Sequence, residues 1–148
     1  VFMKKSDDVF LKSKEFLDKN MLKKKYDFLV VDFHGEITSE KMAIGHVFDG
    51  NATFVVGTHT HVPTNDGRVL SKGTAYLTDA GMCGDYNSVI GMNTENSINR
   101  FYKRGSVKHF PAVGEASLCG AIIEANPKNG LASNISQFIF GGQLQKEF

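Results

Sequence analysis

Apolar and polar positions alternate in blocks along this chain, and the blocks predict helices and strands in turn. After Ser6-Asp7-Asp8, which offers a cap and first-turn acids, apolar residues recur at roughly helical spacing. The pattern predicts a helix that ends near Lys24. Residues 26–33 are then a short continuous apolar run, as expected of a strand that is buried on both faces.

A second helix and a second strand follow directly. Helical spacing resumes at Thr38-Ser39-Glu40 and ends at Asp49-Gly50, and residues 52–56 form another continuous apolar run. Strand, helix and strand in this order predict a βαβ unit, in which the two strands are parallel neighbours. Their carboxyl ends then lie at one edge of the sheet.

The rest of the chain predicts a strand, a helix and a hairpin. Residues 74–78 are a third strand candidate, and residues 94–103 predict a short helix. Residues 116–124 and 135–140 predict two antiparallel strands around the turn sequence at 126–130. Because no linker or repeat divides the chain, we expect residues 1–148 to form a single α/β domain segment.

Composition gives no support for several partner classes. The chain has 17 basic and 16 acidic residues, which gives no electrostatic argument for binding nucleic acid or an anionic membrane. Its two cysteines form no CxxC pair, which favours reduced thiols in a cytoplasmic protein. No apolar run approaches the roughly 20 residues that span a bilayer.

Three histidines follow the two parallel strands and suggest a metal centre. His34 follows the first strand, and His59 and His61 follow the second in Gly57-Thr58-His59-Thr60-His61. We expect these imidazoles to converge, because parallel sheets place their chemistry at the carboxyl ends of strands. A histidine set without a thiolate cluster favours Mn, Fe or Zn. Gly57 is interpreted as a residue that lets the backbone approach a ligand closely.

Two carboxylates flank His34. Asp32 and His34 point to the same side of an alternating strand, so Asp32 could orient an imidazole without binding the metal. It could equally satisfy nearby amides at the strand end. Glu36 is either a carboxylate near the site or simply a residue that precedes the helix at Thr38. Cys83 is interpreted as a small residue in a tight turn, since no basic partner for a thiolate is evident.

Three ordered motifs resemble a known family. Residues 32–41, 56–64 and 78–84 are similar to motifs of the YmdB-type bacterial metallophosphoesterases, which belong to the calcineurin-like superfamily. The resemblance implies an α/β/β/α sandwich, here partial and with a C-terminal antiparallel hairpin. It implies a cytoplasmic two-metal phosphodiesterase for cyclic nucleotides or similar small phosphodiesters. Carried over by motif, His34 and His59 would bind one metal ion and His61 the other, with Fe or Mn expected and Zn as an alternative.

The chain also departs from the family pattern. The upstream Gly-Asp, glutamate and Gly-Asn-His motifs, which supply the other ligands and a proton-donor histidine, are absent. We therefore expect the carboxyl-terminal half of a phosphoesterase domain, with no catalytic residue beyond its metal ligands. Such a half would be inactive alone, would pair with the missing amino-terminal half, and is expected in a homo-oligomer.

Two alternatives stay open at the level of the sequence. The chain could be a noncatalytic assembly or regulatory module that retains the phosphoesterase fold. It could also be a mononuclear hydrolase of the amidohydrolase type, which likewise uses His-x-His at a strand end. That class needs a further histidine and an aspartate late in the chain; Asp79 is available, but no suitable histidine is.

Overall fold

The helices and strands alternate through the first part of the chain and give way to a hairpin at its end. The computed structural model describes residues 7–103 and 108–144. Its helices are α1 (Val9–Lys19), α2 (Thr38–Phe48) and α3 (Thr94–Phe101). Its strands are β1 (Val30–His34), β2 (Phe54–Thr58), β3 (Arg68–Val69), β4 (Ala75–Leu77), β5 (Gly84–Asp85), β6 (Ala116–Ala125) and β7 (Ala132–Phe140), followed by a 3₁₀ turn at Gly142–Leu144. None of the helices in these ranges is long and apolar enough to cross a membrane.

The main sheet places three strand ends together. Its strand order is β1-β2-β4-β3, with β1, β2 and β4 parallel and β3 antiparallel at the far edge. The predicted βαβ unit is confirmed. The register of β1 and β2 pairs His34 with Thr58, and that of β2 and β4 pairs Val56 with Leu77. The segments that follow β1, β2 and β4 therefore leave the sheet at the same edge.

A second sheet supports the loop that follows the histidines. It has the order β5-β6-β7, and the antiparallel β6–β7 pair is the predicted C-terminal hairpin. The Gln137 side chain of β7 accepts a hydrogen bond from Gly67 N–H at 3.1 Å and donates one to the Thr64 carbonyl. The two sheets and three helices confirm the mixed α/β class.

The core forms where α2 packs on the main sheet. Ile44 and Phe48 of α2, Val55 of β2 and Tyr76 of β4 are almost fully buried in one cluster. Helix α1 adds Phe16, whose ring lies 6.4 Å from the Phe48 ring between centroids. Burial of these apolar side chains fixes α2 against β2 and β4, and so fixes the helix start relative to the strand ends.

Several sequence predictions differ from the structure. Helix α1 ends at Lys19 rather than near Lys24, because Asn20 uses its side-chain amide to bind the Phe16 carbonyl at 2.6 Å. Strand β1 is not buried on both faces: it is an edge strand whose residues alternate between exposed and half-buried. Strands β3 and β5 were not predicted, since two residues are too few to show a period.

Gly57 has a packing role, which corrects its interpretation as a residue that admits a ligand. It lies in β2, buried against the chain just after β4. An added Cβ would overlap the Thr78 carbonyl oxygen and would lie 3.1 Å from Cδ of Lys41. Glycine is therefore required so that β2, Thr78 and the Lys41 stem can pack together.

Replacing Gly57 by alanine should destabilise the fold by about 3 kcal/mol, because rigid backbone rather than a flexible side chain blocks the added methyl. Urea unfolding measures the change. Gly84→Ala is the matched control in another strand, where the nearest heavy atom to the added Cβ is Met82 Sδ at 3.7 Å. Equal stability of the two variants would contradict this account of Gly57.

Candidate metal centre

His34 and His59 meet at the carboxyl edge of the parallel strands. His34 is the last residue of β1, and His59 follows β2 directly. His59 Nδ1 lies 3.1 Å from His34 Nε2, and the rings are T-shaped with centroids 5.0 Å apart. Both side chains are exposed, so this nitrogen pair is open to a ligand from solvent.

A chain of hydrogen bonds fixes the tautomer of His34. The Thr58 hydroxyl donates to Asp32 Oδ1 at 3.0 Å, and His34 Nδ1 lies 3.0 Å from the same hydroxyl oxygen. Because Thr58 has one hydroxyl hydrogen, and Asp32 accepts it, His34 Nδ1 must be the donor to Thr58. In the neutral ring, Nε2 of His34 then carries the lone pair that a metal ligand requires. This lone pair faces His59 and accepts the hydrogen bond from His59 Nδ1 at 3.1 Å.

His61 is held separately from this pair. Its Nδ1 donates to the Ile90 carbonyl oxygen at 2.8 Å, which leaves Nε2 as the ring nitrogen with a lone pair. His59 and His61 both have positive φ, at 127° and 63°, a conformation that side chains with a Cβ rarely adopt. This backbone turns the two neighbouring imidazoles to different partners.

Of the three imidazoles expected to converge, the structure shows His34 and His59 in contact, and the assignment of His34, His59 and His61 as metal ligands stays a prediction. Within the part of the chain that the structure describes, no group of three or more His, Cys, Asp or Glu side chains is placed to hold a metal ion. His34 and His59 come together, while His61 binds Ile90. Asp32 reaches His34 only through Thr58, and Glu36 is exposed and lies outside this hydrogen-bond chain.

The paired nitrogens fit one part of a metal site. Two imidazole nitrogens bound to one ion at about 2.1 Å each lie roughly 3 Å apart. The separation of His34 Nε2 and His59 Nδ1 is 3.1 Å, so an ion that replaced the His59 Nδ1 proton could bind both nitrogens. The donor set would thus suit a borderline transition-metal ion, of which His34 and His59 could supply two ligands.

A buried ion pair under the histidine loop was missed by the sequence analysis. Lys41 Nζ of α2 lies 2.8 Å from Asp79 Oδ2, and each side chain is only 1% exposed. Asp79 also accepts hydrogen bonds from Thr60 N–H at 2.9 Å and from Gly81 N–H at 3.0 Å. Thr60 is the residue between the two histidines, so the ion pair fixes the loop that carries them.

The environment of Asp79 keeps it ionised. Burial alone would raise the pKa of its carboxyl, but the hydrogen bonds from Lys41, Thr60 and Gly81 outweigh burial and lower the pKa below its ordinary value of 3.8. Because its carboxylate is paired with Lys41, Asp79 is not free to bind a metal ion as the late aspartate of an amidohydrolase does. For the structural role of Asp79 in the ion pair, the sequence offers one signal, which is that this aspartate directly follows a buried strand.

Asp66 holds the far end of the same loop. Its carboxylate accepts hydrogen bonds from the Thr64 hydroxyl at 2.7 Å and the Thr78 hydroxyl at 2.6 Å, and Arg68 lies 3.0 Å away. Partial burial raises the pKa of Asp66, yet these hydrogen bonds give it a net lowering. The loop after β2 is therefore fixed at Thr60 by Asp79 and at Thr64 by Asp66.

Comparison with known proteins identifies relatives of this chain. A profile of the YmdB-like protein family matches residues 1–138. A 2′,3′-cyclic-nucleotide 2′-phosphodiesterase of Bacillus subtilis (strain 168) is 42% identical over 138 residues, which cover 93% of this chain and 52% of that protein. A putative phosphatase/phosphodiesterase of Mycoplasma pneumoniae is 53% identical over 102 residues, which cover 68% of this chain and 34% of that protein.

Two crystal structures share the fold. A hypothetical protein from Thermus thermophilus superposes with a TM-score of 0.84 at 38% identity, over 96% of this chain and 54% of that one. A novel phosphatase from Mycoplasma pneumoniae superposes with a TM-score of 0.83 at 38% identity, over 93% of this chain and 48% of that one. The chain spans about half the length of the Bacillus relative and of each of these structures.

Lys41→Met in the natural full-length protein should lower the free energy of unfolding by about 3–5 kcal/mol, because it leaves the Asp79 carboxylate buried without its cation. Lys12→Met is the matched control. The ion pair of Lys12 with Glu15 has side chains 55% and 60% exposed, so its loss should cost less than about 1 kcal/mol. Urea unfolding measures both variants, and equal losses in their free energies of unfolding would contradict this account.

Proposed function

Because this chain belongs to the YmdB-like family, we propose that it forms part of a metal-dependent phosphodiesterase that hydrolyses cyclic nucleotides or related phosphodiesters. The observation that carries the proposal is the His34–His59 pair, with its ring nitrogens 3.1 Å apart at the edge where three parallel strands end. The names of two relatives, a cyclic-nucleotide phosphodiesterase and a putative phosphatase/phosphodiesterase, support the same reaction class.

The proposed metal site assigns the histidines to two ions. His34 and His59 would hold one divalent ion, and His61 would offer Nε2 to a second, with Fe or Mn expected and Zn as the alternative. The remaining ligands and the proton donor to the leaving group would come from outside the described residues. The proposed architecture is a partial α/β/β/α sandwich, which the two superposed crystal structures support at the level of the fold. The expected homo-oligomer stays a prediction.

The chain's own residues would prepare this site for an anionic substrate. Asp32, acting through Thr58, keeps the lone pair of His34 Nε2 available. The Ile90 carbonyl does the same for His61 by accepting its Nδ1 proton. The divalent ions, when bound, supply Lewis-acid stabilisation of the charge on the phosphoryl oxygens.

A noncatalytic module that keeps the fold for assembly is the alternative. It requires only the packing of α2 on the sheet, and it gives no reason for a hydrogen-bond chain that sets the tautomer of an exposed histidine. The Asp32–Thr58–His34 chain therefore favours the enzyme over the module.

Thr58→Val in the natural full-length protein should weaken Mn²⁺ binding about 10–100-fold, since it breaks the link that orients His34. Thr58→Ser keeps the hydroxyl and should bind Mn²⁺ as the natural protein does. Calorimetric titration with Mn²⁺ measures affinity, and hydrolysis of adenosine 2′,3′-cyclic monophosphate measures activity. His59→Ala should abolish both Mn²⁺ binding and hydrolysis.

Two results would contradict the proposed function. Full hydrolysis by the His59→Ala variant would show that the paired imidazoles are not ligands of the reacting centre. Binding of Mn²⁺ without hydrolysis of any phosphodiester by the natural protein would favour the noncatalytic module instead.

A further inference from the structure

A largely apolar cavity of about 410 Å³ adjoins the candidate metal centre on the side of His61. Ile90 lines the cavity, and its carbonyl oxygen accepts the hydrogen bond from His61 Nδ1 at 2.8 Å. One residue therefore forms both a wall of the cavity and the support of a proposed metal ligand. A cavity of this volume lies in the range of small-molecule sites, about 300–1,000 Å³.

The turn that carries Ile90 is held in a rare conformation. Val89 and Met92 exchange backbone hydrogen bonds of 3.0 Å, and both residues between them, Ile90 and Gly91, have positive φ. A β-branched residue at a φ of 51° is an outlier that the surroundings must enforce. The Ala112 N–H bond to the Gly91 carbonyl at 2.9 Å ties the turn to the segment that follows α3.

The wall of the cavity offers the groups that recognise an aromatic base. Phe101, the last residue of α3, is 83% exposed, so its ring is free to stack on a flat ligand. Arg100 also lines the cavity, and its guanidinium makes no hydrogen bond or ion pair with another described residue. Arginine both stacks on aromatic planes and donates paired hydrogen bonds to base edges. His109 adds a further polar group.

We propose that this cavity is the binding site for the base of a nucleoside phosphodiester, placed so that the phosphodiester group lies at the histidines. The inference rests on the proposed function for the identity of the substrate. It adds a site that neither the histidine motifs nor the fold implies: Phe101 stacks on the base, Arg100 contacts its edge, and the turn at Ile90 joins base recognition to the position of His61.

Phe101→Ala in the natural full-length protein should raise KM for adenosine 2′,3′-cyclic monophosphate about tenfold, the scale of one base–aromatic stacking contact. The KM for methyl p-nitrophenyl phosphate, a phosphodiester without a base, should change much less. Arg100→Ala should likewise raise KM for adenosine 2′,3′-cyclic monophosphate and change KM for methyl p-nitrophenyl phosphate much less. Phe28→Ala is the matched control, because Phe28 is 50% exposed and precedes β1, at the end of the sheet opposite the histidines.

A binding measurement separates this inference from the proposed function. Calorimetric titration of metal-free protein with adenosine 2′,3′-cyclic monophosphate should give a Kd about tenfold higher for Phe101→Ala than for the natural protein or Phe28→Ala. If hydrolysis fails but this difference in Kd is found, the base site stands and the phosphodiesterase proposal falls. If hydrolysis is found but the Phe101 and Arg100 variants match the natural protein in Kd and in both KM values, the base site is overturned.

Discussion

The ion pair between Lys41 and Asp79 is the interaction on which the rest of the site depends. It joins α2 to the segment after β4 in an interior where both side chains are 1% exposed. Such a pair is costly to desolvate, and it is tolerated only where further hydrogen bonds satisfy the charges. Asp79 meets that condition through the backbone N–H groups of Thr60 and Gly81. The loop with the histidines is thus tied to a buried ion pair that stabilises the fold.

This arrangement explains how a strained and exposed loop can present two histidines. His59 and His61 both have positive φ, and their rings turn to different partners. A conformation of this kind persists only where the surroundings over-determine it. The hydrogen bond from Thr60 to Asp79 supplies one constraint between the two histidines, and the contacts of Thr64 with Asp66 supply another. The imidazoles are therefore placed by the protein before any ligand arrives.

Much of this architecture could be predicted from the sequence, because it depends on periodic patterns. Apolar runs and helical spacing gave the parallel β1–β2 pair and the C-terminal hairpin, and they placed His34 beside His59. What patterns could not give is pairing between distant polar residues. Lys41 lies in a helix where a lysine is normally solvated, and only the fold shows that its partner is Asp79. Gly57 was misjudged for the same reason, since the atom that excludes a side chain there belongs to Thr78.

The central claim is that buried Asp79 holds the histidine loop, and amide hydrogen exchange at Thr60 tests it most directly. Thr60 is an exposed residue, yet its N–H donates to the buried carboxylate at 2.9 Å. The account predicts that this amide exchanges as slowly as the amides of β2 in the natural protein, and that Lys41→Met removes the protection. Exchange of the Thr60 amide at the rate of an unstructured peptide in the natural protein would contradict the account.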